Sequence, residues 1–343
     1  MMAAQRWLVT GASGQLGGHV VRQLARETAG ADILALALRS EVGTAGVRVA
    51  RTDFADLDGL GKCVAEFRPT HIVHTGAVTA VGDCCARPEA ATRVNTDATC
   101  VLAETAAGCQ ARLVFISTDM VFAGDEAPYR ETDRPRPLSH YGRTKAAAER
   151  LLVGFERTLV VRLPLLYGFA CTRRETTFAK QIAALRSGEP LRLFTDEYRT
   201  PVWLPDAAAA LIGLARSELT GVIHVAGPKR LSRFEMVGRF ARLLNVPDPK
   251  LEPASRHSID ASEPRPEDLS LDGARFAKLF PRLAPGPIRA EVFAAFDWTR
   301  SSRMRKFVRP GSSGRAAASA RIPGCRSRRS WVLATRAAGP CPL

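Results

Sequence analysis

Trp7-Leu8-Val9-Thr10-Gly11-Ala12-Ser13-Gly14-Gln15-Leu16-Gly17 is the stretch on which the fold turns. Its first four residues form a short apolar run of strand length. Beyond the glycines, Leu16, Val20, Val21 and Leu24 recur with the period of one helix face. Strand, glycine turn and helix in that order make a cradle for a dinucleotide phosphate. The first glycine permits a tight turn, the second lets backbone approach a pyrophosphate, and the third lets helix lie close on strand. Three spaced glycines alone are weak evidence, because any tight turn uses them, so their weight depends on the rest of the chain.

Downstream of the glycines the chain keeps alternating. Apolar runs at Ile33–Leu38, Val47–Ala50, His71–His74, Arg112–Ile116 and Thr158–Arg162 are separated by helical patterns. One pattern spans residues 57 to 67 and stops before Pro69. A long one runs from Pro88 to Gly108, and a third carries Tyr141 and continues through Leu152. The alternation predicts an α/β protein with a Rossmann-type doubly wound parallel sheet. After Pro164 the rhythm changes. Helices are expected at Phe178–Leu185, Asp206–Leu214 and Phe234–Leu244, a late strand at Val222–Val225, and an irregular loop over Phe194–Trp203. The expected organisation is a nucleotide-binding core over residues 1–165, with segments around 195–228 returning to it. A smaller substrate-binding region would occupy 166–299, and a basic, unstructured tail 300–343.

Within the core, Ser13, Gln15 and Leu16 share the glycine loop and are assigned to the cofactor with Gly11, Gly14 and Gly17. Arg39 follows the second strand where an acidic residue would bond ribose hydroxyls. The acid is missing, and an arginine suits a 2′-phosphate, which favours NADP(H) and leaves NAD(H) open. Asp53-Phe54 ends the third strand where a carboxylate could bond the adenine amino group. Thr75-Gly76-Ala77 is a small-residue loop suited to lying against the cofactor.

The net charge of +15 over 343 residues would ordinarily suggest nucleic acid. Eleven Arg and Lys and no Asp or Glu fall within residues 300–343, leaving +4 for the rest. The basicity therefore belongs to the tail, and no nucleic-acid partner is expected for the body. The eight cysteines contain no C-x-x-C pair and no zinc-finger spacing, so no metal site is expected. With no signal-peptide pattern and no apolar run of spanning length, the expectation is a cytoplasmic protein without a membrane partner.

Chemistry enters at Ser117-Thr118-Asp119 and Tyr141-Gly142-Arg143-Thr144-Lys145. The first ends the fifth strand, and catalytic groups of open parallel sheets gather at that edge. In the second, residues four apart share a helix face, so the phenol and the ammonium can address one small volume. A cation beside the phenol would lower its pKa towards the working range.

These residues resemble the extended short-chain dehydrogenase/reductase superfamily, and within it the dTDP-4-dehydrorhamnose reductase group. The resemblance rests on Thr10–Gly17, Ile116-Ser117-Thr118-Asp119-Met120-Val121-Phe122, Tyr141–Lys145 and Val160-Val161-Arg162-Leu163-Pro164, with His224-Val225-Ala226-Gly227 and Arg265-Pro266. It implies a catalytic triad of Thr118, Tyr141 and Lys145, with Tyr141 as proton donor during hydride transfer and Lys145 also holding the nicotinamide ribose. It further implies that Asn95 and Leu163 lie by the cofactor. On the substrate side it implies Thr118, Asp119, Met120, Val121 and Phe122, with Arg199 and Arg265 on a nucleotide-sugar diphosphate. Met120 departs from the Asp-Glu pair that the superfamily's dehydratases resemble, and a thioether is neither acid nor base, so dehydration is disfavoured. The expected activity is NADPH-dependent reduction of a 4-keto nucleotide sugar. A nucleotide-sugar epimerase and a non-catalytic NADP-binding subunit like the methionine adenosyltransferase β-subunit remain as alternatives, and a homodimer is compatible with each.

Overall fold

The computed structural model describes residues 5–28, 30–38 and 42–294. Arg39 and the tail expected over 300–343 lie outside the described residues.

Seven parallel strands form the central sheet: β1 (Arg6–Thr10), β2 (Asp32–Ala37), β3 (Arg48–Arg51), β4 (His71–His74), β5 (Arg112–Thr118), β6 (Thr158–Leu163) and a last strand at Gly221–His224. Their spatial order is β3-β2-β1-β4-β5-β6 followed by Gly221–His224. The order reverses between β1 and β4. In open α/β sheets the crevice beyond the carboxyl ends of such a pair is where ligands bind.

The apolar runs are continuous because both faces of the sheet are covered. Trp7 and Val9 of β1 face one layer, with Leu16, Val20, Val21 and Leu24 of α1 (Gln15–Glu27). Leu8 faces the other, with Leu60, Val64 and Phe67 of α2 (Leu57–Phe67). Side chains one residue apart thus serve opposite cores, as the two-residue period of a strand requires. Asp56 caps α2 by accepting from the Gly59 amide, and Arg68 ends it in the left-handed region just before Pro69.

The segment expected as one helix from Pro88 is interrupted. Ahead of it lies α3 (Val81–Ala86), and the segment itself divides into α4 (Pro88–Thr92), a π-helical turn at Arg93–Asp97 and α5 (Ala98–Gly108). Hydrophobic period does not register such a wide turn, which adds one residue and re-aims Asn95 and Thr96 towards α6 (His140–Leu152). The loop over Phe194–Trp203 also holds two short strands, Tyr198–Arg199 and Val202–Trp203. Their partners, Leu231–Ser232 and Leu166–Tyr167, are remote in sequence and invisible to local pattern.

Beyond β6, α7 (Thr177–Ser187), the parallel pair Leu191–Phe194 and Leu251–Ala254, and α9 (Arg233–Leu243) stand outside the main sheet. Phe178 packs edge-on to Phe240 at a centroid distance of 5.0 Å, joining α7 to α9. Between them in sequence, α8 (Leu204–Ala215) buries Ala207, Leu211 and Leu214 in the core layer that α1 also builds.

Candidate active site

The cleft at the β1/β4 reversal has a volume of about 760 Å³. One end is built by the turn after β1. Gly11 has φ +63° and lies so close to the β4 loop that a Cβ would meet the Gly76 backbone at 2.7 Å. Thr10 and Thr75 fix this approach: Thr75 Oγ1 donates to the Thr10 carbonyl at 2.6 Å, and the Gly76 amide donates to Thr10 Oγ1 at 3.1 Å. Gly14 is the N-cap of α1 and offers no capping side chain, so the first-turn amides face the cleft without an internal competitor. Gly11, Ser13, Gly14, Gln15, Leu16 and Gly17 all line it. So do Asp53, Phe54, Thr75, Gly76 and Ala77, and Leu163 at the end of β6.

At the middle of the cleft β5 delivers Thr118 and α6 delivers Tyr141. Ser139 caps α6 by accepting from the Gly142 amide at 3.1 Å. Gly142 explains why the helix can start there: a Cβ would strike the Met120 carbonyl and come within 2.9 Å of the Pro137 side chain. The first turn of α6 therefore rests on the turn after β5. Thr118 Oγ1 donates to Asp119 Oδ1 at 3.0 Å, and Thr118 and Tyr141 are neighbours there. Both line the cleft, each less than a tenth exposed.

Lys145 is placed differently from the expectation. It is buried, does not line the cleft, and its ammonium sits 3.9 Å from the Phe115 ring centroid. Burial lowers its pKa to about 7, against the pull of Glu149 one turn on. The phenol is pushed up rather than down, first by burial and then by the Asp119 carboxylate, with the neighbouring Thr118 acting the other way. The expected lowering by Lys145 is thus corrected: the phenol is shifted upward, and Lys145 is not among the groups that shift it.

Asn95 also lies behind the cleft wall. It is fully buried, accepts from the Val78 amide at 2.8 Å, and donates to the Val78 carbonyl and to Thr144 Oγ1, both at 3.0 Å. Its hydrogen-bonding capacity is spent holding the β4 loop against α6, so it braces the wall and does not reach into the cleft. Asp119, Met120, Val121 and Phe122 are not in the lining either, and Val121 and Phe122 are fully buried. Arg199, expected on a diphosphate, is buried with its Nε 3.2 Å from Asp119 Oδ2. Burial raises the Asp119 pKa, while Arg199 and Thr118 oppose the rise.

Arg265 does line the far wall, paired with the buried Glu197 carboxylate and 4.8 Å from the Phe194 ring centroid. Beside it stands Arg233, the first residue of α9, which sequence reasoning passed over. Burial and the Arg199 guanidinium lower its pKa to about 10, against the pull of Glu197 and Asp119. Three guanidinium groups thus share two carboxylates at this wall, leaving an excess of positive charge. The Ser232-x-x-Glu235 capping box that starts α9 was the available signal for Arg233, since it fixes which residue opens the helix.

The model of the RmlD substrate binding domain matches residues 5–295. The chain belongs to this family of extended short-chain dehydrogenases/reductases. A dTDP-4-keto-6-deoxy-D-glucose reductase of Streptomyces niveus is 31% identical over 284 residues, covering 80% of this chain and 92% of that protein. Methionine adenosyltransferase 2 subunit beta of Bos taurus is 30% identical over 289 residues, covering 80% and 82%. A crystal structure of dTDP-4-dehydrorhamnose reductase from Bacillus anthracis in complex with NADP is 25% identical, with a TM-score of 0.68 over 81% of this chain and 93% of that one. Among the described residues of this RmlD-family chain, no helix is long and apolar enough to cross a membrane, and no cluster of three or more His, Cys, Asp or Glu could hold a metal ion.

Proposed function

We propose that this chain is an NADPH-dependent reductase of a 4-keto nucleotide sugar. The observation that carries the reading is that Thr118 and Tyr141 line the same cleft as an uncapped glycine turn and a wall bearing Arg233 and Arg265. The glycine turn fits a dinucleotide because its close backbone approaches and unoccupied first-turn amides suit a pyrophosphate. The preference for NADPH rests on Arg39 in the sequence and on the Bacillus anthracis relative, which carries NADP. When bound, the nicotinamide would supply the hydride.

The remaining work falls to the chain. Arg233 and Arg265 bind the sugar-nucleotide diphosphate, their excess charge matching an anion and their forks suiting paired phosphate oxygens. The Thr118 hydroxyl turns from Asp119 to the C4 carbonyl oxygen and polarises it. Tyr141 gives its proton to the same oxygen as negative charge develops. Before substrate binds, Asp119, tied to Arg199, holds the Thr118 hydroxyl.

The test is loss of the nicotinamide absorbance when purified protein meets NADPH and a panel of 4-keto nucleotide sugars. Turnover that disappears in Tyr141→Phe supports the reading, and no turnover with any sugar overturns it.

A second reading, a regulatory subunit that acts through a partner, is favoured by the likeness to methionine adenosyltransferase 2 subunit beta. It predicts stoichiometric co-purification with a partner whose activity is indifferent to Tyr141→Phe.

A further inference from the structure

Glu263-Pro264-Arg265-Pro266 lies in the loop before α10 (Ala274–Leu279), and its two charged side chains serve different places. Arg265 is on the far wall of the cleft, paired with the buried Glu197 carboxylate. Glu263 reaches the start of α6. Its Oε1 accepts from the His140 amide at 2.6 Å and from Arg143 Nη2 at 3.1 Å. Arg143 Nη1 also donates to the Leu138 carbonyl at 3.1 Å, so one guanidinium ties both Glu263 and the incoming chain to the helix.

α6 has Ser139 as its N-cap, and its first three residues are His140, Tyr141 and Gly142. The amides of a first turn have no partner within the helix. Ser139 takes the Gly142 amide from inside the turn, and Glu263, 123 residues further on, takes the His140 amide. A carboxylate also suits the positive end of the helix dipole. The residue between these two held amides is Tyr141. The Glu263 side chain is only 8% exposed, and its Oε2 is buried with no hydrogen-bond partner among the described residues. A buried oxygen left bare costs free energy, and here the cost falls on a residue whose other oxygen fixes the turn that bears the phenol.

The link from Glu263 to Arg265 is stiff. Pro264 and Pro266 fix their own φ, and each keeps the residue before it out of the helical region, so Glu263 and Arg265 are both held extended. Two extended residues span about 7 Å. The far end is seated as well. Pro266 lies against Gly124, where a Cβ would meet it at 2.7 Å, and the Glu267 carbonyl accepts from the Tyr198 amide at 2.8 Å.

We propose that Glu263 is a positioning residue for the reduction: through the Glu263-Pro264-Arg265 link, a diphosphate seated on Arg265 orders the first turn of α6 and with it Tyr141. An anion on Arg265 holds the guanidinium and the backbone behind it. The stiff link carries that order to Glu263, and Glu263 carries it to the amide next to Tyr141. The coupling rests on the nucleotide-sugar reading above, whereas the clamp of Glu263 on α6 does not.

The experiment measures amide hydrogen exchange in peptides covering residues 138–146, with and without dTDP, in the full chain and in Glu263→Ala, Glu263→Gln and Pro264→Gly. Without ligand, the first turn of α6 is expected to exchange about tenfold faster in Glu263→Ala and near the unmodified rate in Glu263→Gln, which keeps an acceptor for the His140 amide. In the unmodified chain dTDP is expected to slow that exchange about fivefold. It is expected to have no such effect in Pro264→Gly, which retains both charged side chains and loses only stiffness. In turnover, Glu263→Ala and Pro264→Gly are expected to lower kcat about tenfold with NADPH affinity unchanged. Arg265→Met is expected to cost less in the Glu263→Ala background than alone. Equal protection by dTDP in Pro264→Gly, or costs that simply add in the double variant, overturns the coupling; Pro264→Gly decides it should Glu263→Ala fail to fold. Unliganded exchange in Glu263→Ala equal to that of the unmodified chain overturns the clamp. If dTDP does not bind the unmodified chain, the nucleotide-sugar reading and the coupling fall together, and unliganded exchange alone decides the clamp.

Discussion

At the scale of single residues, the cleft is a set of buried polar groups whose partners decide their chemistry. Tyr141 is the sharpest case. Its phenol meets Thr118 and the field of Asp119, and the expected effect of Tyr141→Phe is a rate lower by about 10²–10⁴-fold with the fold intact, checked by turnover and by circular dichroism. Arg233→Gln, at the wall with excess positive charge, is expected to raise KM for the nucleotide sugar about tenfold with little change in kcat, the signature of lost uniform binding. A fall in kcat at constant KM would contradict that role. His74 is fully buried between Thr10 and Thr99, with Nδ1 2.6 Å and Nε2 3.0 Å from their hydroxyls, and burial lowers its pKa to about 3. Between its ordinary value near 6.5 and that folded value the unfolded chain takes up a proton that the folded chain does not. Stability is therefore expected to fall as pH drops through this window, and His74→Gln to flatten the slope in urea titrations between pH 4 and 7. These contacts were only partly legible in the sequence. The types Thr118, Tyr141 and Gly11 announced themselves by motif and spacing. The direction in which Lys145 points depends on packing against Phe115, a residue of β5 that no local pattern connects to it.

At the scale of elements, the alternation of apolar runs and helical periods gave the core strands and helices nearly to the residue, because each element buries a face and the period records it. Where polar side chains set the geometry, the pattern was silent. The π-helical turn at Arg93–Asp97 exists to seat Asn95 and Thr96 on α6, and the strand Tyr198–Arg199 exists because Leu231–Ser232 pairs with it. The join between β5, β6 and α6 is another such case. Arg162 of β6 donates to the Glu149 carboxylate of α6 at 2.7 and 3.1 Å, and Ser117 of β5 donates to the same carboxylate. All three are buried, so removing one charge strands the other. Arg162→Met is expected to lower the unfolding free energy by ~3 kcal/mol, measured by urea denaturation. A change below ~1 kcal/mol would mean that water reaches Glu149 in the native state. Gly11→Ala is expected to lose dinucleotide affinity, since its φ of +63° and the 2.7 Å approach to Gly76 leave no room for a methyl group.

At the scale of the whole molecule, the sequence placed its charge well. A body close to neutral is consistent with a cleft that concentrates arginines at one wall, where Arg233 and Arg265 stand opposite the glycine turn. One cleft spans both ends, so cofactor and sugar nucleotide would meet at Thr118 and Tyr141. That meeting is the central claim, and a single-turnover mix tests it most directly. Protein preloaded with NADPH is mixed with a dTDP-4-keto-6-deoxy sugar while the nicotinamide absorbance is followed. The account predicts a decay stoichiometric with enzyme, slowed by about 10²-fold or more in Tyr141→Phe. An absorbance that stays flat in protein shown to hold NADPH and the sugar together would contradict it.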